Sequence, residues 1–416
     1  MSFKEAFSCP PCGNSCDGQI YDQPGKCPQC EMTLTRREAT TNRTNLSSAP
    51  VKELSSAALR QIDALFAAST QTPSPGYAMG IFGNDRVLLQ KGYGLANLEY
   101  AIPITSVSVF NIASLSKQFT AACLALLIQR GSVSLEDEVS KFVPAVGKYG
   151  TSIKVKHLIY MTSGIPEYHS LPHSNGLNWN LYDYFTVDMA IAVSLAQPEL
   201  AYEPGTKWTY SNVNYMLLTK IVEKVSGKRF ADFAKENLFA PLGMHHTQFN
   251  DDVTVVIKNR AIGYVHRTKA LIEQSAKSGY FLRDDGKYVQ AHRNAPHYGG
   301  SGVFTCLEDW KKWNQNFYSH QVGGKSFYEL MHLRLKFQHE KANDAFGLVF
   351  GNYRGEEIIW YAGGDIGFNS YVMRFPRQEL TIVCFSNLDS KGEAENKAHQ
   401  AADILFEHKV VQSSAE

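Results

Sequence analysis

The chain has 416 residues, which is enough for one large domain with an appendage or for two to three ordinary domains. Hydrophobic residues make up 44% of the sequence, so a sizeable core can form, and the formal net charge is +1. A nearly neutral chain gives no electrostatic reason to expect a nucleic-acid or anionic-membrane partner.

The sequence contains no run that is long and apolar enough to span a bilayer. Residues 1–8 also lack the hydrophobic core of a signal peptide. We therefore expect either a cytoplasmic protein or the mature form of an exported bacterial protein.

Cysteines dominate the N-terminal segment. Cys9 and Cys12 form one Cys-x2-Cys pair, and Cys27 and Cys30 form a second pair 14 residues later. Two such pairs supply four thiolates in a tetrahedron, the usual arrangement of structural zinc, and a metal would replace the core that so short a segment lacks. The pattern predicts a zinc-ribbon-like segment over residues 1–34, with disulfides as the alternative. Cys16 is left over and is an alternative ligand to Cys12.

The same segment resembles the small heavy-metal-binding domain attached to bacterial metal-efflux proteins. That family usually has Cys-Pro-Met-His where residues 9–12 of this chain read Cys-Pro-Pro-Cys. The departure favours four sulfur ligands and zinc over a role in metal transfer. Residues 35–50 are rich in Thr, Asn, Ser and Arg and are predicted to be a linker. The remaining domain would then span residues 51–416.

The first half of this domain begins with a predicted amphipathic helix over residues 54–66, which the prolines at 73 and 75 stop. Two β-rich runs at residues 77–82 and 87–93 flank a Gly-Asn-Asp hairpin signal. Residues 132–240 are predicted to be mainly helical, with loops. An aromatic-rich insertion lies at residues 165–200.

Strand patterns return near the C-terminus, before a closing helix predicted over residues 392–409. The four predicted strands are residues 347–353, 357–361, 369–375 and 380–386. Strands at both ends with helices between them predict an α+β fold. One antiparallel sheet would be built from both termini and flanked by helices, with a helical region inserted. The cysteines in apolar surroundings, Cys123, Cys306 and Cys384, are predicted to be buried free thiols.

Ser114 and Lys117 form a Ser-x-x-Lys pair at the predicted start of a helix that ends at Gly131. Residues three apart lie on the same face of a helix, so the amine would lie beside the hydroxyl. An adjacent base activates a weak hydroxyl nucleophile, and a helix N-terminus favours the oxyanion that develops. Taken alone, the pair also fits an N-capping serine and a solvated lysine.

Two further stretches contain candidate groups. Tyr210 and Asn212 form a Tyr-x-Asn triplet in a loop before a predicted helix, where a phenol and an amide can reach one cleft. Tyrosine acts as a general base only if its pKa falls from about 10, and a nearby lysine ammonium would lower it. Residues 361–368 read Tyr-Ala-Gly-Gly-Asp-Ile-Gly-Phe, where the glycines allow a backbone N–H to approach a substrate carbonyl.

The order of these three motifs resembles the serine β-lactamase and penicillin-binding-protein family, and most closely its class C, carboxylesterase-like branch. Five more stretches resemble that branch: residues 91–97 (Lys-Gly-Tyr-Gly-Leu-Ala-Asn), 162–164 (Thr-Ser-Gly), 204–205 (Pro-Gly, ahead of Tyr210), 241–244 (Pro-Leu-Gly-Met) and 299–302 (Gly-Gly-Ser-Gly). The resemblance covers roughly residues 52–408 and implies a β-lactamase/transpeptidase-like fold. The chain has no Gly-x-Ser-x-Gly elbow, no His-Glu-x-x-His pair and no phosphate-binding glycine loop.

The resemblance implies an acyl-enzyme mechanism that needs no cofactor for catalysis. Ser114 would attack a carbonyl while Lys117 and Tyr210 share the proton transfer. Asn212 would orient the acyl-side amide of the substrate, and the N–H groups of Ser114 and Gly364 would form the oxyanion hole.

The third motif departs from the family pattern, because Tyr361 stands where the family usually has lysine or histidine. Tyr361 and Gly363 are predicted to contact the substrate, but a neutral hydroxyl binds a carboxylate more weakly than an ammonium does. Aromatic residues of the insertion point to an apolar acyl group: Tyr168, Trp179, Tyr182 and Tyr184.

We therefore expect a serine acyl hydrolase that acts on a small-molecule ester or amide or on a peptide. Esterase or D-amino-acid peptidase-like activity is favoured over efficient β-lactamase activity. Two alternatives follow from the departure. In the first, Tyr361 is only a packing residue and another side chain supplies the charge. In the second, the protein is a catalytically poor sensor that keeps the fold.

Overall fold

The structure is a computed structural model of the chain. It describes residues 53–171, 184–277, 281–337, 343–390 and 392–413, together with residues 51 and 279 and short pieces between residues 6 and 37. The N-terminal pieces include strands β1 (Ala6–Ser8), β2 (Ile20–Tyr21) and β3 (Thr35–Arg37), which pair antiparallel in the order β2-β1-β3. Strand β3 therefore lies where the predicted linker begins.

The later strands are β4 (Tyr77–Phe82), β5 (Val87–Tyr93), β6 (Leu95–Asn97), β7 (Ile102–Pro103), β8 (Phe110–Asn111), β9 (Gln248–Phe249), β10 (Tyr264–His266), β11 (Tyr288–Gln290), β12 (Val303–Thr305), β13 (Val349–Tyr353), β14 (Glu356–Asp365), β15 (Phe368–Phe375) and β16 (Leu380–Ser386).

The α-helices are α1 (Ser56–Ala64), α2 (Ala67–Gln71), α3 (Ser116–Gln129), α4 (Val155–Ile159), α5 (Val187–Leu195), α6 (Asn212–Ser226), α7 (Phe230–Ala234), α8 (Lys269–Lys277), α9 (Leu307–Ser319), α10 (Gly324–Met331) and α11 (Glu393–Ser413). Short 3₁₀ turns occur at Ala113–Leu115, Val139–Lys141, Pro144–Tyr149, Tyr168–Ser170 and Pro376–Gln378, and a π-helical turn occurs at Lys235–Phe239. No helix within the described ranges combines the length and the apolar character that crossing a bilayer requires.

The central sheet joins strands from both ends of the domain in the order β13-β14-β15-β16-β4-β5, and each neighbouring pair is antiparallel. The join is the pairing of β16 with β4, in which Val383 lies opposite Gly80. The predicted α+β architecture is confirmed. Strand β14 is longer than predicted, because its pairing with β15 continues through Gly363 and Gly364 to Asp365.

The two faces of the sheet are both buried, since successive side chains of a strand point to opposite faces. On one face, Met79 and Ile81 of β4 share a core cluster with Ile62 of α1 and with Ala398 and Leu405 of α11. The other face packs against the helices that stand between the two halves of the sheet. Cys123, Cys306 and Cys384 are buried free thiols, as predicted.

Aromatic packing fixes helix α3 against this second face. Trp310 of α9 lies between Phe119 of α3 and Phe385 of β16, with ring centroids 5.9 Å and 5.5 Å away. All three side chains are buried. Helix α3 ends one residue before Arg130, and Gly131 follows with a left-handed φ of 70°, as the predicted stop requires. The helix that follows Ser114 is therefore held rigidly above the sheet.

Candidate active site

Ser114 lies in the 3₁₀ turn that leads into α3, and its neighbour Ala113 has a φ of +51°. A non-glycine residue in the left-handed region costs on the order of 1 kcal/mol or more, so surrounding contacts must hold it there. The Asn111 side chain provides one such contact, because its Oδ1 accepts a hydrogen bond from the Ala113 N–H at 3.0 Å. Ser114 itself remains only half-buried, so a substrate can approach its hydroxyl.

The structure brings Ser114, Lys117 and Tyr210 together. Ser114 Oγ lies 2.6 Å from Tyr210 Oη and 3.1 Å from Lys117 Nζ, and the amine lies 2.6 Å from the phenol oxygen. Each atom of this triangle is within hydrogen-bond distance of the other two. The three groups can therefore exchange protons without moving.

The Lys117 amine is fully buried and surrounded by oxygen atoms. Besides the two hydroxyls, it donates to Asn212 Oδ1 at 2.7 Å and to the Gly300 carbonyl at 2.6 Å. Burial lowers the pKa of Lys117 to about 7, although the carboxylates of Glu167 and Asp365 act to raise it. A large fraction of the amine is consequently neutral near pH 7 and can accept a proton.

Burial raises the pKa of Tyr210 above its ordinary value, and this effect outweighs the hydrogen bond that it shares with Ser114. The prediction that Lys117 would lower the pKa of this phenol is wrong. An ammonium beside a phenolate and a neutral amine beside a neutral phenol differ only in the position of one proton. Desolvation disfavours the two charges, so the neutral form of the pair prevails.

Asn212 opens helix α6, and Glu167 fixes the orientation of its amide. Glu167 accepts hydrogen bonds from Ser211 Oγ at 3.0 Å, from the Val213 N–H at 3.2 Å and from Asn212 Nδ2 at 3.5 Å. With its nitrogen turned to Glu167, the Asn212 amide presents its oxygen to Lys117. No sequence motif assigned a role to Glu167, although it follows the family-like Thr-Ser-Gly stretch by three residues.

Strand β14 runs beside the Ser114 turn, and Gly363 is the point of closest approach. A Cβ atom at Gly363 would lie 3.0 Å from the Ser114 nitrogen and 2.4 Å from Ser370 Oγ, so a side chain cannot fit there. At Gly364 the corresponding position has no heavy atom within 4 Å, so this residue borders open space. The Ser370 hydroxyl donates to the Ile112 carbonyl at 2.7 Å, which ties β15 to the same turn.

Tyr361 is buried, with 6% of its surface exposed, and its side chain lies near the Tyr210 phenol. Burial is the main cause that raises the pKa of Tyr361 well above its ordinary value, so its hydroxyl stays protonated. A neutral phenol at this position brings no positive charge to the site.

A second polar cluster, which the sequence did not reveal, adjoins the three motifs. The Asp365 carboxylate contacts Arg293 at 2.7 Å, Ser301 Oγ at 2.6 Å and Asn111 Nδ2 at 3.2 Å. Arg293 holds the pKa of Asp365 well below its ordinary value against the opposing effect of burial. The only sequence signals were the position of Asp365 inside the third motif and that of Ser301 inside a family-like glycine stretch.

The aromatic residues of the insertion have different environments where the structure describes them. Tyr168 is fully buried, stacks on Phe185 with ring centroids 5.6 Å apart, and its hydroxyl lies 2.6 Å from His297 Nε2. Tyr184 has 61% of its surface exposed. The other two aromatic residues, Trp179 and Tyr182, lie outside the described residues.

The predicted zinc ligands Cys9, Cys12, Cys27 and Cys30 also lie outside the described residues, as does Cys16. Within the part of the chain that the structure describes, no three His, Cys, Asp or Glu side chains are grouped to hold a metal ion.

Comparison with known proteins gives the same assignment for most of the chain. The family model described as Beta-lactamase matches residues 62–406. Penicillin-binding protein 4* of Bacillus subtilis is 30% identical over 342 residues, which cover 80% of this chain and 72% of that protein. Protein flp of Staphylococcus aureus is 27% identical over 323 residues, which cover 76% of this chain and 60% of flp. The match to flp therefore spans less than two thirds of its length.

A solved structure shows the same fold. The D-amino acid amidase from Ochrobactrum anthropi SV3 superimposes with a TM-score of 0.69 at 20% sequence identity, covering 86% of this chain and 100% of the amidase. With the match of the family model and the relation to penicillin-binding protein 4*, the chain belongs to the β-lactamase family of serine hydrolases, in its β-lactamase/transpeptidase-like fold.

Proposed function

We propose that the protein hydrolyses uncharged esters or amides through an acyl-enzyme on Ser114. The observation that carries this proposal is the pair of contacts at Ser114 Oγ, 2.6 Å to Tyr210 Oη and 3.1 Å to Lys117 Nζ. A hydroxyl with a buried amine of lowered pKa beside it is an activated nucleophile. The amidase of the same fold supports an amide as one substrate class.

Proton transfer begins at neutral Lys117, which takes the Ser114 proton directly or through Tyr210. In the second route the Tyr210 oxygen accepts the serine proton as its own proton passes to the amine 2.6 Å away. Oγ then bonds to the substrate carbonyl carbon, and the carbonyl electron pair moves to its oxygen. As the bond to the leaving group breaks, the proton held by Lys117 and Tyr210 passes to the departing oxygen or nitrogen.

The oxyanion forms between the N–H groups of Ser114 and Gly364. Support comes from the close approach of β14 to the Ser114 turn at Gly363, and from the open space beside Gly364. One such donor contributes about 3 kcal/mol to transition-state stabilisation in comparable sites. Water then attacks the carbonyl carbon of the acyl-enzyme ester and gives a proton to Lys117. As the bond to Ser114 Oγ breaks, Lys117 passes this proton to Oγ, which restores the serine hydroxyl and releases the acid.

Preference for uncharged substrates follows from Tyr361. Tyr361 is a buried, neutral phenol, so the position that usually presents lysine or histidine presents no cation here. A substrate carboxylate gains no ion pair at this point and loses its hydration on entering the site. Asn212, with its amide oriented by Glu167, orients the acyl side of the substrate.

A catalytically poor sensor of cell-wall fragments or antibiotics is the second candidate. The Tyr361 departure favours it, since a sensor needs acylation or binding without rapid turnover. The lowered pKa of the buried Lys117 favours turnover, because the same base serves acylation and deacylation.

Replacing the nucleophile tests the proposal. We expect Ser114→Ala to lower the hydrolysis of p-nitrophenyl butyrate on the order of 10⁵-fold without loss of folding, since nucleophile removal in serine hydrolases has effects of this size. The exposed Ser132→Ala is the matched control and should keep the wild-type rate. An unchanged rate in Ser114→Ala would rule out the acyl-enzyme. Labelling of Ser114 by a fluorophosphonate without any turnover would instead indicate the sensor.

The pH dependence follows from the pKa of Lys117, which burial lowers to about 7. Only the neutral amine accepts the serine proton, so kcat/KM should rise about tenfold per pH unit below pH 7 and level off above it. The raised pKa of Tyr210 adds no falling limb below about pH 10. Lys117→Arg, which remains a cation at every pH, should be inactive throughout. A flat wild-type profile between pH 5 and 8 contradicts the role of Lys117.

The preference for uncharged substrates can be tested by placing at position 361 the lysine that the family usually has there. Tyr361→Lys should raise kcat/KM for a chromogenic cephalosporin about tenfold relative to p-nitrophenyl butyrate, because the added ammonium pairs with the cephalosporin carboxylate. Tyr361→Phe keeps the ring, adds no charge and should leave the ratio unchanged. If wild-type protein hydrolyses the cephalosporin more efficiently than esters and D-amino-acid amides, the preference for uncharged substrates is wrong.

The N-terminal segment is proposed to bind one structural zinc ion through Cys9, Cys12, Cys27 and Cys30. Support comes from the pairing of Ser8 with Thr35, which closes the stretch that contains both cysteine pairs. Such a segment gains its folding energy from the metal.

Elemental analysis of protein purified under reducing conditions should find about one zinc ion per chain. The double variant Cys9→Ser/Cys27→Ser should bring this close to zero, whereas Cys123→Ser, at a buried thiol of the hydrolase domain, should leave it unchanged. Ester hydrolysis should persist after chelation. A value near zero in the wild-type protein would exclude the zinc site.

A further inference from the structure

We propose that Asp365 is a positioning residue that holds the nucleophile turn, the Lys117 base and the oxyanion-hole strand in one arrangement. This inference rests on the proposed function and extends it to a residue that contacts neither Ser114 nor Lys117. Asp365 is the last residue of β14 and directly follows Gly364.

The Asp365 carboxylate is saturated with donors. Its Oδ1 accepts from Arg293 Nε at 2.7 Å and from the Ile366 N–H at 2.8 Å, and its Oδ2 accepts from Ser301 Oγ at 2.6 Å and Asn111 Nδ2 at 3.2 Å. The side chain is only 2% exposed. A buried carboxylate with this many donors is fixed in orientation, and so are the groups that donate to it.

One connection leads to the nucleophile. Asn111 donates its Nδ2 to Asp365, which turns its Oδ1 towards the Ala113 N–H at 3.0 Å. Ala113 is the strained residue that directly precedes Ser114. Without Asp365 the Asn111 amide loses the contact that sets its orientation, and the strained turn loses part of its support.

A second connection leads to the base. Ser301 donates to Asp365, and the carbonyl of the adjacent Gly300 accepts a hydrogen bond from Lys117 Nζ at 2.6 Å. The third connection is covalent, because Gly364 precedes Asp365 and Ile366 follows it with an N–H bonded to the same carboxylate. One side chain thus links three segments that are far apart in sequence.

Both the charge and the acceptor capacity of Asp365 matter. Asparagine has the same shape, but its NH₂ group cannot accept, so either the Ser301–Asn111 side or the Arg293 side loses its acceptor. Arg293 is then left as a partly buried cation without its carboxylate. The Asp365 charge also acts to raise the pKa of Lys117, so its removal should lower that pKa further.

The test uses full-length Asp365→Asn, the double variant Asp365→Asn/Arg293→Gln, and Asp85→Asn as a matched surface control whose carboxylate is 74% exposed beside Arg86. In Asp365→Asn, we expect kcat for p-nitrophenyl butyrate to fall about 100-fold with KM changed less than about threefold, since misplacement of reacting groups by about 1 Å has effects of this size. The rising limb of the pH profile should move to lower pH. Asp85→Asn should match the wild type.

The double variant separates positioning from stability. Removing both charges should restore the midpoint of thermal unfolding towards the wild-type value, while kcat stays low and the pH limb stays shifted. If kcat recovers together with the unfolding midpoint, Asp365 acts only on stability and the inference is overturned. A kcat for Asp365→Asn within twofold of the wild type overturns it as well.

Ser114 labelling by a fluorophosphonate gives a readout that does not need turnover. The labelling rate should fall about 100-fold in Asp365→Asn, because the nucleophile turn and its base are both displaced. Equal labelling rates in wild type and variant overturn the positioning role even if the protein proves to be a sensor. Wild-type protein that is labelled but hydrolyses no ester or amide contradicts the proposed function alone.

Discussion

The site depends on the burial of the Lys117 amine among oxygen atoms. A lysine side chain removed from water favours its neutral form unless a carboxylate pairs with it. Two buried carboxylates lie near enough to influence Lys117, but each is occupied elsewhere. Glu167 accepts a hydrogen bond from the Val213 N–H at the start of helix α6, and Asp365 forms an ion pair with Arg293. The fold thereby lowers the pKa of this lysine to about 7 while four oxygen atoms hold the amine in place.

This electrostatic arrangement requires two chain segments to come unusually close. The Ser114 turn contains a non-glycine residue with positive φ, and β14 passes it at a glycine where no side chain fits. Neither feature is favourable by itself. The pairing of β14 with β15 and the packing of α3 on the sheet through Trp310 stabilise both. The cost of the strained geometry is therefore met by ordinary core packing and strand pairing.

The relation to the β-lactamase family identifies the chain as a serine hydrolase, and Tyr361 is a local difference within its third motif. The matched relatives include penicillin-binding protein 4* and flp, and the shared fold extends to a D-amino acid amidase. In this chain Tyr361, a buried neutral phenol, takes the place of the lysine or histidine that the family usually has.

Local patterns in the sequence determined the positions of several strands and of one helix end. The hairpin at residues 77–93, the C-terminal strands and the stop at Gly131 depend on alternation and turn residues, which are local signals, and the structure has them within a few residues of the predicted bounds. The family motifs also identified the segments that meet at the site.

Only the tertiary structure decided how the site is charged. The direction of the pKa shift of Tyr210 was predicted wrongly, because desolvation depends on everything that packs around a phenol and not on its nearest lysine alone. Glu167, Arg293 and Asp365 received no role, since contacts between residues up to 254 positions apart leave no local pattern. Spacing along the chain could point to a candidate nucleophile and a candidate base, but burial and long-range hydrogen bonds determine their protonation and their alignment.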